Sequence, residues 1–331
     1  MAKHWLVLAL AAALAAGAAL ANDGVMEREA GGLVFKHTDQ VDMLSEDLYV
    51  SLEQIRVRYR FRNRMPNDVR LLVGFPLPDH DLRADFYEDT AYPSDFRTLA
   101  DGRPVTMRVE QRAFWQGTEH TELLNRLGVP IIYGDHQTLE PIEQALTGLP
   151  PAEQERLLAL GLIEAFDEPR EGNRFTPVWT VRETWYWEQV FPANRDLVIA
   201  HSYRPGAGGT ILTALTPDVR SGEYGGEQAR EYASRYCTDR AFLAAVDRLW
   251  RQGRRQISEA YVSYILTTGA GWRSPIGEFR MVVDKGRPAN LVSFCGEGVR
   301  RIGPTRFEMR RRNWRPTRDL HVLILQPTAA E

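Results

Sequence analysis

From Ile55 to Arg62 the chain alternates strictly: Ile55, Val57, Tyr59 and Phe61 are separated by Arg56, Arg58, Arg60 and Arg62. A period of two sends successive side chains to opposite faces of a strand, so one face is predicted to be core and the other a row of guanidinium groups in water. Asn63 to Asp68 supplies turn residues, and Val69 to Phe75 predicts a return strand closed by Pro76 and Pro78. Residues 54–78 are therefore expected to form a hairpin. Val178 to Tyr203 repeats the theme, with Trp179, Val181, Trp185 and Trp187 on one parity, a turn over Pro192 to Asp196, and a second strand from Leu197. A second hairpin is expected there. Asp101-Gly102 predicts a tight turn between strands at 96–99 and 105–114.

Between Gly117 and Phe166 the period changes to that of helices, over 121–127 with Gly128 as a stop, over 139–146, and from Pro150-Pro151 onward, where Glu153 and Glu155 suit a helix N-terminus. This reads as a helical insertion in a β domain. Six glycines in 206–226 mark a candidate linker. Beyond it, Phe242, Leu243, Val246, Leu249 and Trp250 form an amphipathic stripe that Thr238 could cap. Short strands at 260–268, 278–283, 291–295, 305–309 and 320–325 complete the chain. The expected fold class is mainly β, with two sandwich-like domains: 22–205 with its insertion at about 117–166, then a linker at 206–226, then 227–331 with one packed amphipathic helix.

The first 21 residues are read differently. Lys3 and His4 precede an apolar run from Trp5 to Leu14, and small residues lead to Ala19-Leu20-Ala21, the pattern of a secretory signal peptide cleaved before Asn22. No later stretch is apolar for long enough to span a bilayer, so no transmembrane segment is expected in the mature chain. Export changes the meaning of the cysteines. Cys237 and Cys295 are the only two, and in an oxidising compartment they are expected to pair. The expected location is the periplasm or the exterior.

Net charge is small, −3 over the whole sequence, which gives no global pull on nucleic acid or acidic membranes. The basic residues are nearly all arginine, Lys3, Lys36 and Lys285 being the only lysines. Two clusters stand out: the β face of Arg56, Arg58, Arg60 and Arg62, and the run Arg310, Arg311, Arg312 with Trp314 interleaved. These eight residues are the candidate binding residues, for an envelope protein or a phosphate-bearing envelope polymer, while export argues against nucleic acid. Both clusters also suit a merely solvated face.

Catalytic signals are sparse. The sequence contains no HExxH, no GxSxG or SxxK, and no complete phosphate-binding loop. Asp79-His80-Asp81 and Glu119-His120 are acid-flanked histidines, each more simply read as a loop than as a ligand set. No catalytic residue, metal or cofactor is assigned. A hydrolase acting on cell-wall or glycan material through carboxylates brought together by the fold stays open. So does a carbohydrate-binding module using Trp179, Trp185, Tyr186 and Trp187 as a platform, although alternating tryptophans also suit a core.

A series of motifs in fixed order carries a resemblance: Gly31-Gly32-Leu33, Ser45-Glu46-Asp47-Leu48, Tyr59-Arg60-Phe61-Arg62-Asn63 and Phe75-Pro76-Leu77-Pro78 come first. Asp101-Gly102-Arg103-Pro104-Val105, Tyr186-Trp187-Glu188-Gln189, Leu266-Thr267-Thr268-Gly269 and Ser293-Phe294-Cys295 follow. Over nearly all the mature chain it resembles the domain-of-unknown-function 4424 family of bacterial secreted proteins. That resemblance implies no assigned activity. The N-terminal part is also similar, more weakly, to the vault and inter-alpha-trypsin inhibitor type β-sandwich domain, but the metal-binding adhesion domain expected after it is absent. The function expected from the whole reading is a non-enzymatic envelope protein that binds a protein or an envelope polymer.

Overall fold

The computed structural model describes residues 23–29, 32–83, 93–132, 138–170 and 172–328. The expected signal peptide, residues 1–21, lies outside them, as does most of the acidic loop that follows Pro78.

The described chain is mainly β. Its first strands are β1 (Gly24–Glu29), β2 (Gly32–Lys36), β3 (Val41–Val50), β4 (Ile55–Asn63), β5 (Val69–Pro76), β6 (His80–Asp81), β7 (Ser94–Ala100) and β8 (Arg103–Pro104). The chain continues through β9 (Arg108–Trp115), β10 (Thr118–Glu119) and helices α1 (Thr121–Arg126), α2 (Glu140–Thr147) and α3 (Pro151–Ala159). Next come β11 (Ile163–Arg170), β12 (Asn173–Pro177), β13 (Thr180–Phe191), β14 (Asp196–Arg204) and β15 (Gly208–Thr210). Helices α4 (Pro217–Arg220), α5 (Glu223–Arg235) and α6 (Arg240–Arg251) precede β16 (Ile257–Tyr264), β17 (Ile276–Asp284), β18 (Leu291–Phe294), β19 (Arg300–Arg301), β20 (Arg306–Trp314) and β21 (Leu320–Pro327).

Two large sheets face each other across the main core. One runs β10-β9-β13-β5-β1-β2, with β6 also on β13; the other runs β19-β20-β17-β3-β4-β14-β7-β8. The alternation of β4 is realised as expected: Ile55, Val57, Tyr59 and Phe61 are buried and the arginines between them point away from the core. The hairpins are not. β4 pairs with β3 and β14, whereas β5 pairs with β1 and β13 in the opposite sheet. The connection at 64–68 is thus a corner from one sheet to the other. The turn between β13 and β14 is a second corner, for the same reason. The strand periods are compatible with either topology, because a hairpin and a corner bury the same alternate residues. What favours the corners is their mutual fit. The buried Asn63 amide donates to the carbonyls of Asn67 and Phe191 (2.9 and 2.8 Å), and the Asp68 carboxylate accepts from the backbone of Ala193 (2.9 Å). Phe61 meets Phe191 edge-on beneath them at 5.7 Å.

Asp101-Gly102 does form a hairpin turn, joining β7 to β8, with both residues at positive φ (46° and 77°) as the tightest two-residue turn requires. The chain then crosses sheets, so the second strand is shorter than expected and β9 begins at Arg108 in the other sheet. The helical insertion is present. Helices α1 to α3 and the β11-β12 ribbon enclose a separate core around Leu124, Ile142, Leu157 and Trp179, where the Trp179 indole donates to the carbonyl of Ile131 (2.8 Å).

The glycine-rich stretch 206–226 contains β15, α4 and the start of α5. Beyond it, β17 lies parallel to β3, with Arg280 opposite Asp47 and Val282 opposite Tyr49. One sheet therefore draws strands from both sides of that stretch. A parallel pair needs a long crossover, and nothing in a local period announces it. The four-stranded sheet β15-β16-β21-β18 is covered on both faces. Leu320, Val322 and Ile324 reach the main core, while Leu323 and Leu325 meet α5 and α6. Both faces being buried explains the unbroken apolar run in β21. Helix α6 is capped by Asp239, not Thr238: its carboxylate accepts from the Phe242 amide (2.7 Å). Cys237 and Cys295 are bonded as expected, with Cα atoms 5.0 Å apart, tying the end of α5 to the end of β18.

Candidate functional site

The candidate site lies on the outward face of the eight-stranded sheet. Its rows follow from register. Across the sheet, Arg280, Asp47, Arg58, Ala200 and Leu99 lie side by side, and one step along Val282, Tyr49, Arg56, Ser202 and Arg97 do the same. On β14 the outward residues are small, Ala200 and Ser202, while long side chains stand on either side of them on β4 and β7. That difference in side-chain length makes a trough. Ile302, in the turn between β19 and β20, and Pro104 of β8 sit at opposite ends of the strand order yet line the same cavity of about 1030 Å³. The sheet is therefore curled, and its outer face is concave.

The electrostatics of the trough is uneven. Arg280 is neutralised, its Nη1 3.0 Å from Asp47 and its Nε 2.8 Å from Glu308. Arg306 is held by Asp284 at 2.8 Å. Although burial alone would raise the Asp284 carboxyl, its hydrogen bonds, led by that from Arg306, hold it below the usual range. Asp47 lies opposite Arg58 in the register but is engaged by Arg280 on its other side. Arg56 stacks over the Tyr49 ring at 4.5 Å. The Tyr49 hydroxyl donates to Asp284 (3.2 Å), and burial, with Asp284 adding to it, pushes the phenol up, so the ring stays neutral beneath the guanidinium. Among the described residues, Arg56, Arg58 and Arg97 have no carboxylate partner. Their side chains are exposed, and guanidinium groups in that state are ready to take a carboxylate or phosphate in two parallel hydrogen bonds.

The candidates picked from sequence are distributed across this face. Arg56 and Arg58 line the trough. Arg60 and Arg62 continue the row on β4 but share Asp196, at 3.9 and 2.9 Å. Arg310 and Arg312 share the outward face of β20, opposite Arg280 and Glu278, with Arg310 held by Glu308 at 3.0 Å. Arg311 has the other parity and pairs with Glu297 at 2.8 Å. Asn313 has φ of 48°, and past it Trp314 turns to pack on Phe279, 4.4 Å between ring centres. The basic run is thus split between two faces.

Arg97, Arg280 and Arg306 were not singled out from sequence. Each stands alone among unlike neighbours or at a strand end, so no run marked it. The one available signal was parity, since each has the outward parity of its strand. The aromatic platform is not formed: Trp179 and Trp187 are buried, and Tyr186 packs with Met26 and Leu33. Trp185 is partly buried and stacks on Phe96 at 5.2 Å between the two sheets, against the main core. Cys237 and Cys295 are consumed in their disulfide. No group of three or more His, Cys, Asp or Glu side chains among the described residues could hold a metal ion. No described helix is long and apolar enough to cross a membrane.

Sheets, disulfide and trough together define a mainly β protein with a curled, basic outer face. The chain belongs to the DUF4424 family, described as a domain of unknown function, whose model matches residues 21–323. No curated protein matches it. Among solved structures it is similar to one from Legionella pneumophila subsp. pneumophila described as "a putative nutrient binding protein", at 13% identity and a TM-score of 0.45, covering 92% of this chain and 70% of that one.

Proposed function

We propose that the chain is an extracytoplasmic, non-enzymatic binding protein that takes an anionic ligand, borne by an envelope protein or polymer, in the trough of the eight-stranded sheet. The observation that carries this is the cluster of Arg56, Arg58 and Arg97: three guanidinium groups without carboxylate partners among the described residues, on a concave surface where neighbouring arginines are paired. Strands lie about 4.8 Å apart, so Arg56 and Arg97, two strands apart across Ser202, can reach one anion between them. The disulfide and the secretory pattern of residues 1–21 support a location outside the cytoplasm. Nucleic acid is not the partner in that compartment.

The carboxylate hydrolase reading would need two buried carboxyls with raised proton affinity facing one cavity. Asp23 and Asp319, whose carboxyls burial pushes up, do not line the trough.

Calorimetric titration of the mature chain with inorganic polyphosphate, an anion free of apolar groups, tests the reading. Binding should weaken steeply with salt and disappear in the triple variant Arg56→Gln, Arg58→Gln, Arg97→Gln, whose thermal unfolding stays unchanged. Equal binding by the triple variant would place the anion elsewhere and sink the proposal.

A further inference from the structure

The trough is more than cationic. Leu99 and Ile302 line it and are among the large apolar side chains left exposed, at 39% and 46%. Phe96, Val105, Met107 and Trp185 border the same cavity from the inner side of β7, partly buried against the core. An apolar wall of this kind does nothing for a hydrophilic polyanion. A cavity near 1030 Å³ is also large for a lone small anion, since pockets of about 300–1,000 Å³ hold drug-sized ligands.

Resting on the reading above, we infer that the trough binds an acyl amphiphile with a phosphate headgroup, the phosphate between Arg56, Arg58 and Arg97 and the hydrocarbon along Leu99 and Ile302. Charge complementarity selects the headgroup. Three unneutralised guanidinium groups offer more donors than one carboxylate can accept, whereas a phosphate monoester presents three oxygens and up to two charges. The register places head and tail together, because Leu99 is two residues from Arg97 on the same face of β7 and lies in one cross-strand row with Arg58. Ile302 closes the far side from the curled edge.

The test uses the mature chain with butyl phosphate and dodecyl phosphate, both below micelle-forming concentration, and with dodecanoate. Each buried methylene contributes roughly fourfold in affinity, so dodecyl phosphate should bind at least about a hundredfold more tightly than butyl phosphate even if only half of the added chain is buried. The double variant Leu99→Ser, Ile302→Ser should cut that ratio at least about tenfold and leave binding of inorganic polyphosphate, which has no hydrocarbon, unchanged. Both substitutions are at exposed positions, and an unchanged melting temperature verifies the fold. Equal affinity for the two phosphates would overturn the amphiphile while leaving the anion site intact. Dodecanoate binding as tightly as dodecyl phosphate would overturn the phosphate headgroup. Failure of both phosphates and of polyphosphate to bind would overturn the anion reading and this inference with it.

Discussion

The carboxylate of Asp23 and the imidazole of His201, 178 residues apart, meet in the main core with Oδ1 3.0 Å from Nε2, both side chains wholly buried. Thr98 completes the chain at Nδ1 (2.8 Å), and the Asp23 carbonyl accepts from the Trp272 indole at 2.6 Å. The segment just before β1 is thereby pinned inside the sandwich by groups from three distant parts of the sequence. Removing one partner leaves a buried polar group that water cannot reach. His201→Ala is therefore expected to cost about 3–5 kcal/mol, read as a lowered midpoint in urea. A loss within ~1 kcal/mol would mean the pair contributes little.

A second histidine reports on pH. His321 accepts or donates at Ser263 (2.8 Å), faces the edge of Tyr236, and lies near Arg235 and Arg318. Burial, reinforced by those two arginines, lowers it from 6.5 to about 4. The unfolded chain takes up the proton first as pH falls, so this histidine's contribution to stability is full above about pH 6.5 and lost progressively down to about 4. The loss should be on the order of 2 kcal/mol. Denaturant melts between pH 7 and 4 should show it, and His321→Gln should flatten that limb.

Asp42 has the opposite sign of shift and gives a separable acid limb. It is almost fully buried, and though burial alone would raise its carboxyl, hydrogen bonds from Arg64 (2.5 Å) and Arg273 (3.1 Å) hold it below the usual range. Its stabilisation is present above about pH 4 and disappears as pH falls through the lowered folded value. Asp42→Asn should remove this dependence and destabilise at neutral pH by about 1–3 kcal/mol. In contrast, Arg97→Gln in the trough should change stability by less than ~0.5 kcal/mol. The same urea series compares the two.

The disulfide closes a loop with a sequence separation of 58. Chain entropy alone makes it worth about 4 kcal/mol. The double variant Cys237→Ser, Cys295→Ser should lose most of that, and dithiothreitol should lower the midpoint of the native chain but not of the variant.

Close packing across the parallel pair offers a further check. A Cβ on Gly277 would stand 2.6 Å from the backbone oxygen of Leu44, an atom that cannot swing away. Gly277→Ala should cost about 1–3 kcal/mol. A neutral outcome in thermal melts would show that β3 and β17 can separate at this point.

Local pattern determined a good deal of this protein. The alternation in 55–62 placed four side chains in the core and four arginines outside, the Asp101-Gly102 pair set its turn, the helical period marked the insertion, and the two cysteines had one possible partner each. All of these depend on neighbours along the chain, where period and turn chemistry act directly. The tertiary structure alone decided that β4 and β5 part into opposite sheets, that β17 docks beside β3 from more than 200 residues away, and that Arg97, Arg280 and Arg306 join Arg56 and Arg58 while Arg311 and Trp314 turn elsewhere. An alternating strand buries the same face whichever strand it pairs with, so its pattern is silent on the partner. The choice falls to fits such as Asn63 between two corners, and to the short side chains of Ala200 and Ser202 that open the trough.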